Sequence, residues 1–142
     1  SLGASTVILA ASYETAIKAI WSESSLAEFN MVLTDEIGRY GFPNIFGPAV
    51  SLAGKLLTGI DPTDLNPAYA LSNHQNYFFT HGGKDQRMFV NHFNFIKSYA
   101  TANSIKAEFW LVHDAGHVDL MLMHPEEYGS RMKIFFEKYL RN

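Results

Sequence analysis

Segments with the pattern of β-strands alternate along this chain with segments that have the pattern of α-helices. Short apolar runs rich in aromatic and β-branched residues predict strands, and longer segments with one apolar face predict helices. Strands joined by helices of this length pair in parallel. The chain is therefore predicted to be an α/β protein, with parallel strands and flanking helices. The predicted strands are 17–22, 76–81 and 105–112, and the predicted helices are 3–12, 24–40, 48–58, 88–102 and 125–140.

Residue types at the helix ends support these boundaries. Ser24 or Ser25 is expected to cap the helix over 24–40, with Glu28 at capping-box spacing from Ser25. Pro125 suits the first position of the last helix.

A parallel sheet of three strands leaves two edges without a partner, although parallel strands are normally buried. We therefore expect the chain to be half of a larger fold, or to associate with itself. The strand at 17–22 is the one expected to lack a neighbour, so dimers or larger assemblies would cover it. The chain begins at Ser1 rather than at a methionine, which agrees with a missing N-terminal half.

The composition excludes several classes of function. The 142 residues carry a net charge of −3 and no cluster of Lys and Arg, so the basic surface of a nucleic-acid-binding protein is missing. No apolar stretch reaches the ~18–20 residues of a membrane-spanning helix. Cysteine is absent, which excludes disulfides and thiolate sites. A cytoplasmic location is our working expectation.

Two of the predicted strands end in glycine turns that carry acid and base side chains. The run His-Gly-Gly-Lys-Asp at 81–85 follows the second strand, and the run His-Asp-Ala-Gly-His at 113–117 follows the third. In open parallel sheets, ligands bind at the carboxyl ends of the strands. Asp85 and His117 are therefore expected to meet at one edge of the sheet.

A serine stands at the start of the chain, where Ser1-Leu2-Gly3 opens a helix of small residues. A nucleophile elbow has the pattern Gly-x-Ser-x-Gly with small neighbours, because a strand and a helix approach closely there. The first two positions are absent here. The order serine, acid and histidine along the chain agrees with that of enzymes that use such an elbow.

Together these motifs resemble bacterial α/β-hydrolases of the prolyl-oligopeptidase and dienelactone-hydrolase branch. The opening run Ser-Leu-Gly-Ala-Ser-Thr at 1–6 resembles the elbow of that family. The run Phe-Thr-His-Gly-Gly-Lys-Asp at 79–85 resembles its acid-bearing strand and turn, and Ala-Gly-His at 115–117 resembles its histidine turn. Glu-Glu-Tyr at 126–128, before an amphipathic last helix, also matches.

The resemblance covers the whole chain and corresponds to the C-terminal half of the family's fold, with 41–70 as an insertion or lid-like segment. The chain departs from the family in three ways. It lacks the leading Gly-x of the elbow, it lacks the upstream oxyanion-hole loop, and it has Met-Phe-Val at 88–90 where relatives have Val-Pro.

The resemblance implies a serine hydrolase that transfers the acyl group of a carboxylic ester or a peptide-type amide. Ser1 would be the nucleophile, His117 the general base and acid, and Asp85 the carboxylate that orients the imidazole. The backbone N–H of Leu2 would be one oxyanion donor, and the missing upstream part would supply the second. No cofactor is implied, and the isolated chain is expected to be inactive or nearly so.

Plainer interpretations of the same residues stay open. Ser1 could be a frayed terminus, Asp85 a turn-capping residue and His117 a loop histidine. Asp114 and Asp119 flank His117 and compete for the role of the acid.

A metal site is not expected, although His113 and His117 have the spacing of ligands on a helix. Gly116 and the preceding strand argue against that helix, and no third ligand is evident. His81 is expected to pack near the acid turn. The apolar segment 42–57 could be a lid over an acyl pocket, but we favour core packing.

Two other functions compete with a triad hydrolase. An N-terminal nucleophile hydrolase would use the terminal amine of Ser1 as its base, but such enzymes have two sheets of antiparallel strands. A non-catalytic hydrolase remnant would act as a binding or assembly module. The distances among the three site residues distinguish these possibilities.

Overall fold

A computed structural model describes residues 1–140, the side chain of Thr63 excepted. Three strands form one sheet in the order β1-β2-β3: β1 is Ala19–Glu23, β2 is Asn76–Gly82 and β3 is Ala107–Val112. Both strand pairs are parallel, which confirms the predicted sheet. No antiparallel pair occurs among the described residues, so the two-sheet fold of an N-terminal nucleophile hydrolase is ruled out.

One helix precedes the first strand and the others lie between and after the strands, as predicted. Turns of 3₁₀-helix occupy Asn44–Phe46, Pro62–Asp64 and Pro67–Ala70. None of the helices within residues 1–140 is long and apolar enough to cross a membrane. The α-helices are α1 (Leu2–Tyr13), α2 (Phe29–Arg39), α3 (Gly47–Thr58), α4 (Val90–Ala102), α5 (Leu120–Met123) and α6 (Pro125–Leu140).

Alternate residues of β2 build apolar contacts on the two faces of the sheet, because successive side chains of a strand point to opposite sides. Tyr77 and Phe79 stack in parallel at 5.7 Å between ring centroids and belong to the larger core cluster with α1 and α4. On the other face, Phe78 stacks on Trp21 at 4.1 Å and meets Phe135 of α6 edge-on. The two covered faces hold the carboxyl ends of the strands in fixed positions.

The predicted start of the second helix is wrong. The helix begins at Phe29 rather than at residue 24, and no side chain caps it. Ser24 has a left-handed backbone (φ 51°), which is incompatible with a continuing helix. The hydroxyl of Ser25 bonds to Ser5 and to the carbonyl of Leu26 instead of a helix N–H. The turn that follows β1 therefore belongs to the sheet edge.

The favoured interpretation of 42–57 as core packing is also wrong. No residue of α3 is buried, and Gly54 marks a side of the helix that faces the protein, since a methyl group there would lie 3.5 Å from Pro62. Its large apolar side chains point to solvent, with Leu56 77% and Leu57 86% exposed. Apolar content alone did not reveal which side of the helix is covered.

Candidate active site

Asp85 and His117 form a hydrogen-bonded pair at the carboxyl edge of the sheet. Asp85 lies in the turn after β2, and His117 lies in the loop after β3. The Nδ1 atom of His117 is 2.8 Å from Oδ2 of Asp85. The structure therefore brings these two predicted site residues into direct contact.

Main-chain hydrogen bonds join the two loops that carry the pair. The N–H of Gly83 donates to the carbonyl of Val112 at 2.7 Å, and the N–H of Lys84 donates to that of Ala115 at 2.9 Å. These bonds extend the pairing of β2 with β3 beyond the strands themselves. The relative position of the acid and the imidazole is thus set by the backbone.

The Asp85 carboxylate is held in place from both sides. Its Oδ1 accepts the backbone N–H of Arg87 at 2.9 Å and of Met88 at 2.8 Å, and its side chain is fully buried. Burial acts to raise the pKa of Asp85, but the Met88 and His117 hydrogen bonds, followed by that of Arg87, outweigh it and lower the pKa below 3.8. Asp85 is therefore an anion at neutral pH, and it can only accept hydrogen bonds.

An ionised Asp85 determines the tautomer of His117. Because the carboxylate accepts, Nδ1 of the neutral imidazole carries the proton and Nε2 keeps its lone pair. The side chain of His117 is 18% exposed, so it is open to solvent in part. The next residue, Val118, has φ 59°, a strained conformation for a β-branched residue and one found at functional loops.

Ser1 lies at the same edge, just ahead of α1. Its amine donates a hydrogen bond to the main-chain carbonyl of Glu23, the last residue of β1. Its own carbonyl accepts the N–H of Ser5 at 3.2 Å. Leu2 is the first residue of α1, so its N–H belongs to the helix-terminal amides that have no acceptor within the helix.

His81 supports the acid turn. Its Nε2 is 2.8 Å from the carbonyl of Met88 and 3.7 Å from Oδ2 of Asp85. Burial lowers the pKa of His81, so the ring is neutral and donates to the Met88 carbonyl. It therefore braces the loop next to the pair.

The hydrogen bond to Nδ1 of His117 is made by Asp85 rather than by either competing acid. Asp114 is paired with His124 at 3.9 Å and is well exposed. The carboxylate of Asp119 lies beside the histidine loop, since a methyl group on Gly116 would be 2.6 Å from its Oδ2. Residues 113–118 are not helical, so the helical spacing of His113 and His117 that a metal site would need does not arise.

One residue of this edge was missed by sequence reasoning. The Glu23 carboxylate accepts the hydroxyl of Tyr128 at 2.9 Å and the N–H of Leu120 at 3.3 Å. The Tyr128 oxygen in turn accepts the indole N–H of Trp21 at 2.9 Å. Burial, and next the hydrogen bond to Glu23, raise the pKa of Tyr128 to about 12. The signal was available, because Glu23 is an acid at the carboxyl end of a predicted strand.

The chain is similar to known proteins in structure but not in sequence. No protein-family model matches the chain, and no curated protein matches it in sequence. An esterase from Pyrococcus furiosus superposes with a TM-score of 0.65 at 20% identity, covering 96% of this chain and 50% of that one.

Acylaminoacyl peptidases are similar as well. The enzyme from Pyrococcus horikoshii gives a TM-score of 0.70 at 16% identity over 99% of this chain and 23% of that chain. An acylaminoacyl peptidase in complex with Z-Gly-Gly-Phe-chloromethyl ketone gives a TM-score of 0.69, again covering 99% of this chain and 23% of that chain. The chain therefore has the α/β-hydrolase fold of these enzymes, over a stretch equal to about half of the esterase and about a quarter of the peptidase.

Proposed function

We propose that this chain carries the catalytic triad of a serine hydrolase, with Ser1 as nucleophile, His117 as base and Asp85 as acid. The observation that carries the proposal is the 2.8 Å contact between His117 Nδ1 and the buried Asp85 carboxylate, at the edge where Ser1 lies. The substrate is a carboxylic ester or a peptide-type amide. The esterase and peptidases of similar fold support this class of reaction.

The reaction proceeds in two acyl transfers. Ser1 Oγ attacks the carbonyl carbon while its proton passes to Nε2 of His117, and Asp85 stabilises the imidazolium that forms. The bond from the carbonyl carbon to the leaving oxygen or nitrogen breaks, and that atom takes the proton from His117. A water molecule then gives a proton to His117 and attacks the acyl-serine. The acid is released, and the proton returns to Ser1.

The developing oxyanion needs donors that are aimed before the reaction starts. The N–H of Leu2 is one such donor, and the positive end of the α1 dipole adds to it. The second donor would come from the N-terminal half of a full-length enzyme. Loss of one donor costs about 10²–10³-fold in turnover, so the isolated 142-residue chain is expected to be close to inactive.

The test is labelling of the full-length gene product with a fluorophosphonate, which reacts with activated serines. We expect one label on Ser1, lost in Ser1→Ala and strongly slowed in His117→Ala. Ser12→Ala, an exposed serine of α1, is the matched control and should label normally. Absence of any label on Ser1 in the folded protein would refute the hydrolase and favour a non-catalytic binding module.

A further inference from the structure

An apolar cavity of about 290 Å³ opens beside Ser1, between α1 and α2. Its walls are apolar and include Leu9 of α1, Phe29 and Val32 of α2, and Met88 after the acid turn. Its volume is at the lower end of the range for small-molecule sites. The cavity therefore suits one apolar chain of moderate length.

The side-chain hydroxyls of Ser5 and Thr6, which line this cavity, already have partners within the protein. Ser5 Oγ pairs with Ser25 Oγ at 3.0 Å and accepts the N–H of Leu26 at 3.1 Å. Thr6 Oγ1 donates to the carbonyl of Leu2 at 3.0 Å. No charged side chain of the described residues lines the cavity. A polar or ionic ligand would lose its water there without gaining hydrogen bonds, which disfavours it.

We infer that this cavity binds the acyl chain of an ester while Ser1 attacks its carbonyl carbon. The inference rests on the proposed function and narrows its substrate to uncharged esters of apolar carboxylic acids. The acyl part is the appropriate occupant, because it stays bonded to Ser1 after the alcohol leaves and must be held through both steps. A methylene group takes about the space of a water molecule, roughly 30 Å³, so a chain of about eight to ten carbons fills the cavity.

The experiment measures kcat/KM of the full-length gene product on p-nitrophenyl esters from acetate to dodecanoate. Each methylene buried in the cavity should raise kcat/KM about fourfold, until the chain reaches about ten carbons and the increase stops. A second series, alkyl acetates with lengthening alcohols, should stay nearly flat. A rise with alcohol length and none with acyl length would overturn the inference.

A pair of matched variants tests whether the acyl chain of the substrate lies in this cavity. Val32→Trp fills the cavity and should lower the ratio of octanoate to acetate kcat/KM at least tenfold. Val50→Trp makes the same change on α3, where Val50 is exposed and does not line the cavity, and should leave the ratio unchanged. Equal ratios in the two folded variants would contradict the assignment.

A labelling experiment on the unmodified protein covers the case in which Val32→Trp does not fold. An octyl fluorophosphonate should label Ser1 at least tenfold faster than an ethyl one. Equal rates would overturn the acyl-chain cavity but leave the hydrolase standing. No labelling by either reagent would refute the proposed function, and the inference with it.

Discussion

Gly82 at the end of β2 lies against the main-chain carbonyl of Gly116, so closely that a methyl group on Gly82 would be 2.2 Å from that oxygen. This contact brings the turn of Asp85 and the loop of His117 together. A side chain at residue 82 would push the histidine loop away and separate the acid from the imidazole. Glycine at 82 is therefore a requirement of the candidate site.

Gly82→Ala should destabilise the protein by about 1–3 kcal/mol, the usual cost of overpacking, and should abolish activity by separating the loops. Urea unfolding and ester hydrolysis measure the two effects. Gly129→Ala, on α6, is the control, because an added methyl there meets nothing within 4 Å and alanine favours a helix. Equal losses in both variants would argue against the close approach.

Asp85→Asn should lower kcat about 10⁴-fold, as the same change does in a serine protease, and KM should change little. An amide at this position can donate to Nδ1 of His117, which moves the imidazole proton to Nε2 and blocks the base. Steady-state kinetics of the full-length protein on an activated ester tests this. Asp114→Asn, an exposed acid of the same loop, should keep full activity, and a similar loss there would count against Asp85 as the acid.

His92 of α4 is bonded through both of its ring nitrogens to the segment that follows β1. Nδ1 accepts the N–H of Ala27 at 3.0 Å, so Nε2 carries the proton and lies 3.2 Å from Asp35 on α2. Burial lowers the pKa of His92 below its ordinary 6.5. Between the folded pKa and 6.5, the unfolded chain therefore binds more protons than the folded protein.

The lowered pKa of His92 determines how the stability of the protein depends on pH. The contribution of His92 is fully present above pH 6.5 and is lost as pH falls through its lower folded pKa. The free energy of unfolding should fall below pH 6.5 with a slope of up to about 1.4 kcal/mol per pH unit for each such histidine. His92→Gln should flatten this slope, and His74→Gln, at an exposed position, should not. An unchanged slope in His92→Gln would refute the assignment.

Glu23→Gln should release Tyr128 from its carboxylate partner. The pKa of Tyr128, raised to about 12, should fall but stay above 10, because burial remains. Spectroscopic titration of tyrosinate measures it, with Tyr128→Phe identifying the signal. Activity should also drop, since Glu23 anchors Leu120 just after the histidine loop. No change in the tyrosine titration would contradict the hydrogen bond.

The sequence predicted the elements whose patterns are local. The last helix spans Pro125–Leu140 as expected, because proline at its first position and a periodic apolar face act within the helix itself. The strands were predicted to within two residues, and the acid and histidine turns were located because both follow strands. The first strand is Ala19–Glu23 rather than 17–22.

What the sequence could not reveal depends on contacts between distant parts of the chain. The start of α2 was predicted too early because Ser25 bonds to Ser5 of another helix. The pairs Glu23 with Tyr128 and Asp35 with His92 join residues 105 and 57 positions apart. No spacing rule predicts such pairs, since they arise only after the helices pack on the sheet.

The bond from the Ser1 amine to the Glu23 carbonyl lies on the side of β1 away from β2. If a strand leads into Ser1 and pairs with β1, this contact fixes the register of that pairing. Side chains of a strand alternate in direction, so a shift by one position reverses every one of them. One inserted residue just ahead of the serine would therefore reverse every side chain of such a strand, although this bond still holds Ser1 in place.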